Sequence, residues 1–176
     1  KYVIDTKKYV NNLPKSSLNI KDVLKEMNNY IDPSDPDVNE DNIYHAYETA
    51  EMIRKDYPND LEFQVTGLIH DLGKRCYTMS YFYDKPWSVV GDTYPVGCEF
   101  SSKILCSKFF KNNADSTNKV LNTKYGIYKK NCGLSDLVMS YGHDEYLFNV
   151  LNKQKKKHKL TDDMMNVIRF HSFYAW

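Results

Sequence analysis

Residues 67 to 74 read Gly-Leu-Ile-His-Asp-Leu-Gly-Lys, and this stretch indicates the fold class more clearly than any other part of the sequence. It closes a segment from about Leu61 to Leu72 whose apolar residues recur at helical spacing, at Phe63, Val65, Leu68, Ile69 and Leu72. Gly73 follows at a position where helices often end on glycine. The pattern predicts an amphipathic helix that carries His70 and Asp71 near its end, at the edge of a hydrophobic core.

The same helical spacing of apolar residues predicts further helices over residues 20–30, about 42–57, from about 100 onward, about 134–147 and 161–173. Asp41 or Asn42 is the expected N-cap of the second of these. Polar stretches separate the helices, for example Asp32–Asp37, whose two prolines cannot continue a helix. No internal repeat or linker interrupts the pattern. We therefore expect one all-α domain over residues 1–176, with little or no β-structure.

The composition excludes several classes of protein. The 41% hydrophobic and 27% charged residues are an ordinary globular balance, and a net charge of +1 gives no electrostatic footprint for nucleic acid or an anionic membrane. No apolar run approaches the roughly 20 residues that cross a bilayer, and Lys1–Lys8 is too polar for a secretory signal. The four dispersed cysteines favour free thiols over disulfides or zinc ligation. We expect a cytoplasmic monomer without nucleic-acid or membrane partners.

Four of the five histidines fall on different predicted helices, namely His45, His70, His143 and His171. His158 lies in a lysine run and is expected in a solvated loop. A single histidine on an apolar face is more often a hydrogen-bonded core residue than a ligand. If each of the four histidines were buried separately, each would carry its own free-energy cost of desolvation. One shared metal site would remove these costs. Asp71 adds a carboxylate that can bridge two cations, and nitrogen and oxygen donors suit iron, manganese or zinc. These residues alone leave the metal and the reaction open.

The segments around the histidines carry a resemblance to a known family. They are residues 45–51, 67–74, 89–98, 142–146 and 169–174. In all of them the sequence resembles myo-inositol oxygenase, a divergent family of the HD-domain superfamily, and the resemblance extends from about Asp32 to Trp176. The stretches 91–98 and 169–174 are specific to that family, whereas His-Asp alone would indicate only the superfamily.

The resemblance implies an HD-domain-like helical bundle that holds two iron ions in a mixed-valent Fe(II)/Fe(III) state. It implies that His45, His70 and Asp71 hold one iron, that His143 and His171 hold the other, and that Asp71 bridges them. The implied substrate contacts are Asp32, Lys74, Gly91, Asp92 and Ser172. The implied reaction is cleavage of the myo-inositol ring by O2, between C1 and C6, to give D-glucuronate, with Asp71 and Lys74 in catalytic roles.

Some of these residues have a plainer interpretation. Lys74 would stabilise a developing alkoxide, but it would also suit the surface end of a helix as a cation that complements the helix dipole. Asp92 and Asp32 would accept hydrogen bonds from substrate hydroxyls, but both stand next to turn formers, Gly91 and Pro33. For Asp32 the two interpretations are equally supported.

Two other functions compete with the oxygenase. An HD-type metal-dependent phosphohydrolase also uses His and His-Asp, but it closes its site with a later Asp and needs more cations than Lys74 and Arg75 supply. A non-catalytic binding protein with the same helical core is the second. The family's sixth metal ligand, an Asp, and a further substrate lysine lie downstream of the motif that ends at Trp176, beyond the end of this sequence. We therefore expect this chain by itself to be inactive, and competence for catalysis to belong to a longer chain.

Overall fold

A computed structural model of the chain describes residues 1–13, 18–32, 40–85 and 88–174. The α-helices in these ranges are α1 (Tyr2–Asn11), α2 (Ile20–Glu26), α3 (Asn42–Asp56), α4 (Leu61–Ile69), α5 (His143–Lys153) and α6 (Asp162–Phe170). Short 3-10 helices cover Met27–Asn29, Leu72–Thr78, Ser80–Phe82, Ser107–Asn112, Ala114–Thr117, Leu134–Asp136 and Lys155–Lys157. The predicted all-α class is confirmed. No strand occurs among these residues. Pro95 and Met139 form an isolated antiparallel β-bridge.

The chain divides into two compact units, which we call the helical unit (residues 1–91 and 141–171) and the looped unit (residues 92–140 and 172–176). All six of the α-helices named above belong to the helical unit. The expectation of a single domain over residues 1–176 stays a prediction.

Two apolar clusters form the core of the helical unit. One is rich in tyrosine and is centred on Cys76, Phe82, Tyr141 and Tyr146, with the ring of Tyr9 stacked on that of Tyr81 at 4.2 Å. The other joins six elements through buried aliphatic and methionine side chains, at Met27, Ile43, Ile69, Leu72, Leu147 and Ile168. Ile69 immediately precedes His70, and Ile168 lies three residues before His171. The second cluster therefore includes residues that are close in sequence to His70 and His171.

The looped unit is built on aromatic contacts and hydrogen-bonded turns. Phe100 stacks on Phe110 with ring centroids 4.3 Å apart, and the edge of Tyr94 meets both rings. The hydroxyl of Tyr128 donates to the carbonyl of Val96 and accepts from the amide of Val138. These bonds fix an irregular backbone without regular helices.

Several predicted helix boundaries were wrong. The helix expected to follow Gly133 begins at His143, because the backbone of residues 138–140 bonds instead to residues 94–96. The helix expected near Phe100 is a series of turns, with a 3-10 helix only from Ser107. The helix expected to reach Leu72 ends at Ile69.

Among the other sequence predictions, most were confirmed and the one for Gly73 was wrong. Asp41 is the N-cap residue of α3, which ends before Pro58 as expected. Gly73 is not a helix C-cap but lies inside the 3-10 helix Leu72–Thr78. The four cysteines are free thiols, as predicted. Most of the predicted Asp32–Asp37 turn lies outside the described residues.

Candidate metal centre

Four helices of the helical unit each supply one histidine. His45 lies in the first turns of α3, and His143 is the first residue of α5. His70 and His171 are the C-cap residues of α4 and α6, both with right-handed helical backbone angles. Three of the four therefore lie at a helix end, where the chain changes direction and the side chain reaches the edge of the core.

Backbone carbonyls orient three of the imidazole rings. The Nδ1 atom of His70 lies 2.6 Å from the carbonyl oxygen of Gly67, and that of His171 lies 2.8 Å from the carbonyl oxygen of Ile168. The Nδ1 atom of His143 lies 2.6 Å from the carbonyl oxygen of Val89. A carbonyl only accepts, so each Nδ1 carries the proton and donates. In this tautomer the Nε2 atom of each ring is unprotonated and can bind a metal.

Asp71 lies between two pairs of these Nε2 atoms. Its Oδ1 is 3.2 Å from Nε2 of His143 and 3.3 Å from Nε2 of His171. Its Oδ2 is 3.6 Å from Nε2 of both His45 and His70. The donor atoms of each group, His45–His70–Asp71 and His143–His171–Asp71, lie within 4.8 Å of one another. One carboxylate thus offers one oxygen to each pair of histidines.

The short distances between the donor atoms favour a positive charge between them. The Nε2 atoms of His143 and His171 are only 3.0 Å apart. With Nδ1 protonated on both rings, two nitrogen lone pairs face each other beside a carboxylate oxygen, which is repulsive unless a cation or a proton lies between them. Three nitrogen or oxygen donors per group fit a borderline or hard transition metal such as iron, manganese or zinc. The residues present fit a pair of metal ions.

The electrostatics of the centre follow from burial and from Asp71. Burial lowers the pKa of His70 to about 4, so that this imidazole is neutral at physiological pH. Burial alone would raise the pKa of Asp71, but the imidazoles and the ammonium of Lys74 outweigh it and hold that pKa well below its usual range. For His171, burial lowers the pKa, but the hydrogen bond and charge of Asp71 raise it overall. The carboxylate is therefore ionised and attracts a cation.

Lys74 and Asp32 form a buried ionic cluster with Asp71. The Nζ of Lys74 lies 2.7 Å from Oδ2 of Asp71 and 2.6 Å from Oδ2 of Asp32. Lys74 is 5% exposed and Asp32 is 4% exposed, so the alternative of a surface cation for Lys74 is wrong. Burial lowers the pKa of Lys74, but the two carboxylates raise it overall, and the ammonium stays charged. A cation and a carboxylate are thus held beside the candidate metal centre.

The other three predicted substrate contacts have different surroundings. Gly91 has a φ of +91°, and a methyl group at this position would meet no atom within 4 Å. In the looped unit, Oδ2 of Asp92 accepts from the amide of Leu105, and the carbonyl of Ser172 accepts from the amide of Thr93. Their roles toward a substrate stay predictions.

A buried ion pair that was not predicted from the sequence lies on the two helices that carry His143 and His171. Nε of Arg169 donates to Oε2 of Glu145 at 2.7 Å, and both side chains are buried. No spacing rule indicates this pair, because its members lie on separate segments. His158, expected in a solvated loop, is half-buried, with its Nε2 2.9 Å from the carbonyl oxygen of Leu151.

Comparison with known proteins decides the family. The sequence model of the family described as myo-inositol oxygenase matches residues 1–176. The chain belongs to the myo-inositol oxygenase family. Inositol oxygenase 1 of Arabidopsis thaliana is 45% identical over 163 residues, which are 93% of this chain and 52% of that protein. Inositol oxygenase of Danio rerio is 44% identical over 161 residues, 91% of this chain and 56% of that protein.

A mammalian relative gives the same result. Inositol oxygenase of Mus musculus is 41% identical over 160 residues, 90% of this chain and 54% of that protein. The chain therefore spans about half the length of the curated relatives it matches. Membership of this family does not favour the alternative of an HD-type phosphohydrolase. Among the described residues, no helix is both long and apolar enough to cross a membrane.

Proposed function

We propose that the protein to which this chain belongs is a diiron oxygenase that cleaves the ring of myo-inositol with O2 and gives D-glucuronate. The observation that carries this proposal is the position of Asp71, with one oxygen facing His45 and His70 and the other facing His143 and His171. This arrangement occurs in a chain of the myo-inositol oxygenase family. In the proposal, each histidine pair would hold one iron, Asp71 would contribute one carboxylate oxygen to each, and the two irons would supply mixed-valent Fe(II)/Fe(III) chemistry.

The iron pair would supply a Lewis acid that lowers the pKa of a bound alcohol, together with the redox capacity to reduce O2. The residues of the chain have separate tasks. The carbonyls of Gly67, Val89 and Ile168 hold three imidazoles in the tautomer that presents Nε2. Asp71 contributes negative charge to both positions.

Lys74 is the residue we assign to charge stabilisation on the substrate. Its ammonium is buried and stays protonated beside Asp32 and Asp71, and a buried cation stabilises a developing alkoxide more strongly than an exposed one. The carboxylate of Asp32 would accept a hydrogen bond from a hydroxyl of the polyol. We extend the substrate contacts to Gly91, Asp92 and Ser172 from the family resemblance.

The remaining parts of the proposal concern the state of the protein in the cell. We propose a cytoplasmic monomer whose partner is the polyol alone. The near-neutral net charge of +1, which offers no general attraction to nucleic acid or anionic lipid, supports the part of this proposal that concerns partners.

The test is an assay of the full-length protein that contains this chain, freed of metal and reloaded with iron. With myo-inositol and O2 it should form one D-glucuronate and one water for each O2 consumed. Asp71→Asn should abolish product, and Asp56→Asn, a change at an exposed carboxylate at the end of α3, should leave the rate unchanged. Absence of glucuronate from iron-loaded protein would overturn the proposal, and release of phosphate from nucleotides would favour a phosphohydrolase instead.

A further inference from the structure

The buried ion pair of Glu145 and Arg169 joins the two helices that carry His143 and His171. Glu145 is the third residue of α5, and Arg169 is the last but one of α6. Nε of Arg169 donates to Oε2 of Glu145 at 2.7 Å, and Nη2 lies 3.4 Å from Oε1. Two contacts between a planar guanidinium and a planar carboxylate restrict both rotation and sliding of the partners.

Neighbouring side chains hold both members of the pair. The guanidinium carbon of Arg169 lies 4.8 Å from the ring centre of Phe148 and 5.0 Å from that of Phe170. The amide nitrogen of Asn149 lies 3.3 Å from Oε1 of Glu145 and donates at 2.6 Å to its backbone carbonyl. The carboxylate and the guanidinium therefore each have one defined position.

Stability alone is a weak reason for such a pair. Glu145 is 5% exposed and Arg169 is 8% exposed, so forming the pair removes two charges from water. The cost of that desolvation commonly equals or exceeds the attraction between the charges, and well-packed apolar residues at the same place are often at least as stable. A buried pair between two helices is better suited to fixing their register than to strengthening the fold.

The ion pair lies close along the chain to both histidines. His143 lies two residues before Glu145, and His171 lies two residues after Arg169. Two residues correspond to about 3 Å of rise along a helix, so the ion pair fixes each helix close to its histidine. The Nε2 atoms of the two histidines lie 3.0 Å apart, and both are close to Oδ1 of Asp71.

We infer that Glu145 and Arg169 are positioning residues that set the affinity of the His143–His171 metal position and leave the His45–His70 position unaffected. This inference rests on the proposed function. His45 and His70 lie on α3 and α4, which the ion pair does not join. Partners that orient metal ligands typically change metal affinity by about tenfold to a hundredfold when they are removed.

The experiment measures Co²⁺ binding, through the visible absorption of the bound ion, to the chain in two backgrounds. His45→Ala leaves the His143–His171 position intact, and His171→Ala leaves the His45–His70 position intact. Glu145→Gln should weaken Co²⁺ binding about tenfold or more in the first background and leave it unchanged in the second. Arg169→Lys, which keeps the charge and loses the planar fork, should act in the same way.

Glu26→Gln is the matched control. It weakens an ion pair of the same contact type that is half-buried, in which Nε of Arg75 donates to Oε2 of Glu26 at 2.6 Å, on elements that carry neither His143 nor His171. It should leave Co²⁺ binding unchanged in both backgrounds. Circular dichroism at the titration temperature tests whether each variant is folded.

Three results would overturn the inference. The first is equal Co²⁺ affinity with and without the ion pair in the His45→Ala background. The second is an equal loss in both backgrounds. The third is that both pair variants fail to fold, which would assign the pair to stability. If the His45→Ala chain with an intact pair binds no Co²⁺, the proposed metal centre fails as well, and this outcome is distinct from the other three.

Discussion

At the residue scale, Asp71 has two chemically different oxygens. Oδ1 faces two imidazoles, at 3.2 and 3.3 Å, whereas Oδ2 faces two imidazoles at 3.6 Å and also accepts from Nζ of Lys74 at 2.7 Å. A cation at His45 and His70 would therefore share its carboxylate oxygen with an ammonium. Lys74 is as much a part of this centre as the histidines are.

Replacing Lys74 with methionine should destabilise the metal-free chain by about 3–5 kcal/mol, because it leaves the buried carboxylates of Asp32 and Asp71 without their cation. Urea denaturation measures the change. Adding Asp32→Asn to this variant removes one of the two carboxylates and should restore part of the loss. A loss below about 1 kcal/mol for Lys74→Met would contradict the role of the lysine in the folded state.

Sequence patterns revealed the ligand residues better than their surroundings. His45, His70, His143, His171 and Asp71 were predicted to share one site, and the structure brings them together; their role as ligands is still a prediction. The burial of Lys74 was not predictable from local sequence, because it depends on Asp32, which lies far away in the chain. Long-range ion pairs leave no periodic signal.

At the element scale, the positions of the helix ends create the centre. α4 and α6 both end on a histidine that bonds a carbonyl three residues earlier, in the turn where carbonyls lack helical partners. α5 starts on a histidine, and Asp144 and Glu145 in its first turn favour a helix start through the helix dipole. These ends converge because the apolar faces of the helices pack on one cluster.

Gly73 allows the close approach of the 3-10 helix Leu72–Thr78 to the start of α5. A Cβ atom on Gly73 would lie 1.9 Å from the carbonyl oxygen of His143, which is backbone and cannot rotate away. Gly73→Ala should therefore displace α5 and cost about 3 kcal/mol or more in the free energy of unfolding, measured by urea denaturation.

Gly133→Ala is the control for this substitution. Gly133 has a φ of +88° and a ψ of 159°, and a methyl group added there would have no atom within 4 Å, so alanine meets only backbone strain of about 1–3 kcal/mol. Gly73 has no positive φ, so a loss for Gly73→Ala that is no larger than the loss for Gly133→Ala would contradict the close contact with α5 as its cause.

Helix boundaries were predicted less well than the helices themselves. The residues Leu134, Leu137, Val138 and Tyr141 have helical spacing, yet the chain there is tied to residues 94–96 by backbone bonds. In α4, Val65 was expected on the apolar face but is 45% exposed. The spacing of apolar residues shows that a segment is compatible with a helix. It cannot indicate whether a neighbouring segment forms hydrogen bonds with the backbone of that segment instead.

At the scale of the whole molecule, tyrosine is the most frequent aromatic residue, with fifteen in the sequence, and Tyr141 and Tyr146 are buried in the core. Burial raises the pKa of Tyr146 to about 12 and that of Cys76 to about 12, and it also raises the pKa of Tyr30 and Tyr141. These groups therefore stay protonated in the folded state at pH values where an unfolded chain ionises.

This burial predicts alkaline instability. A group whose pKa is higher in the folded state releases its proton on unfolding, so its stabilisation is complete below the unfolded pKa and is lost as the pH rises. The free energy of unfolding should be flat to about pH 9 and fall between about pH 9 and 12, as measured by urea denaturation across that range. Cys76→Ala should flatten the first part of the fall, because the thiol has the lowest unfolded pKa of the set. A free energy that stays level to about pH 11 would contradict the burial of these groups.

The most direct measurement is anomalous diffraction at the iron edge from crystals of the chain grown with iron. A centre built on Asp71 predicts two anomalous peaks, one beside His45 and His70 and one beside His143 and His171, with Asp71 in contact with both. Asp71→Asn should weaken both peaks together, because both positions share that carboxylate. A single peak, or peaks away from these histidines, would contradict a two-metal centre bridged by Asp71.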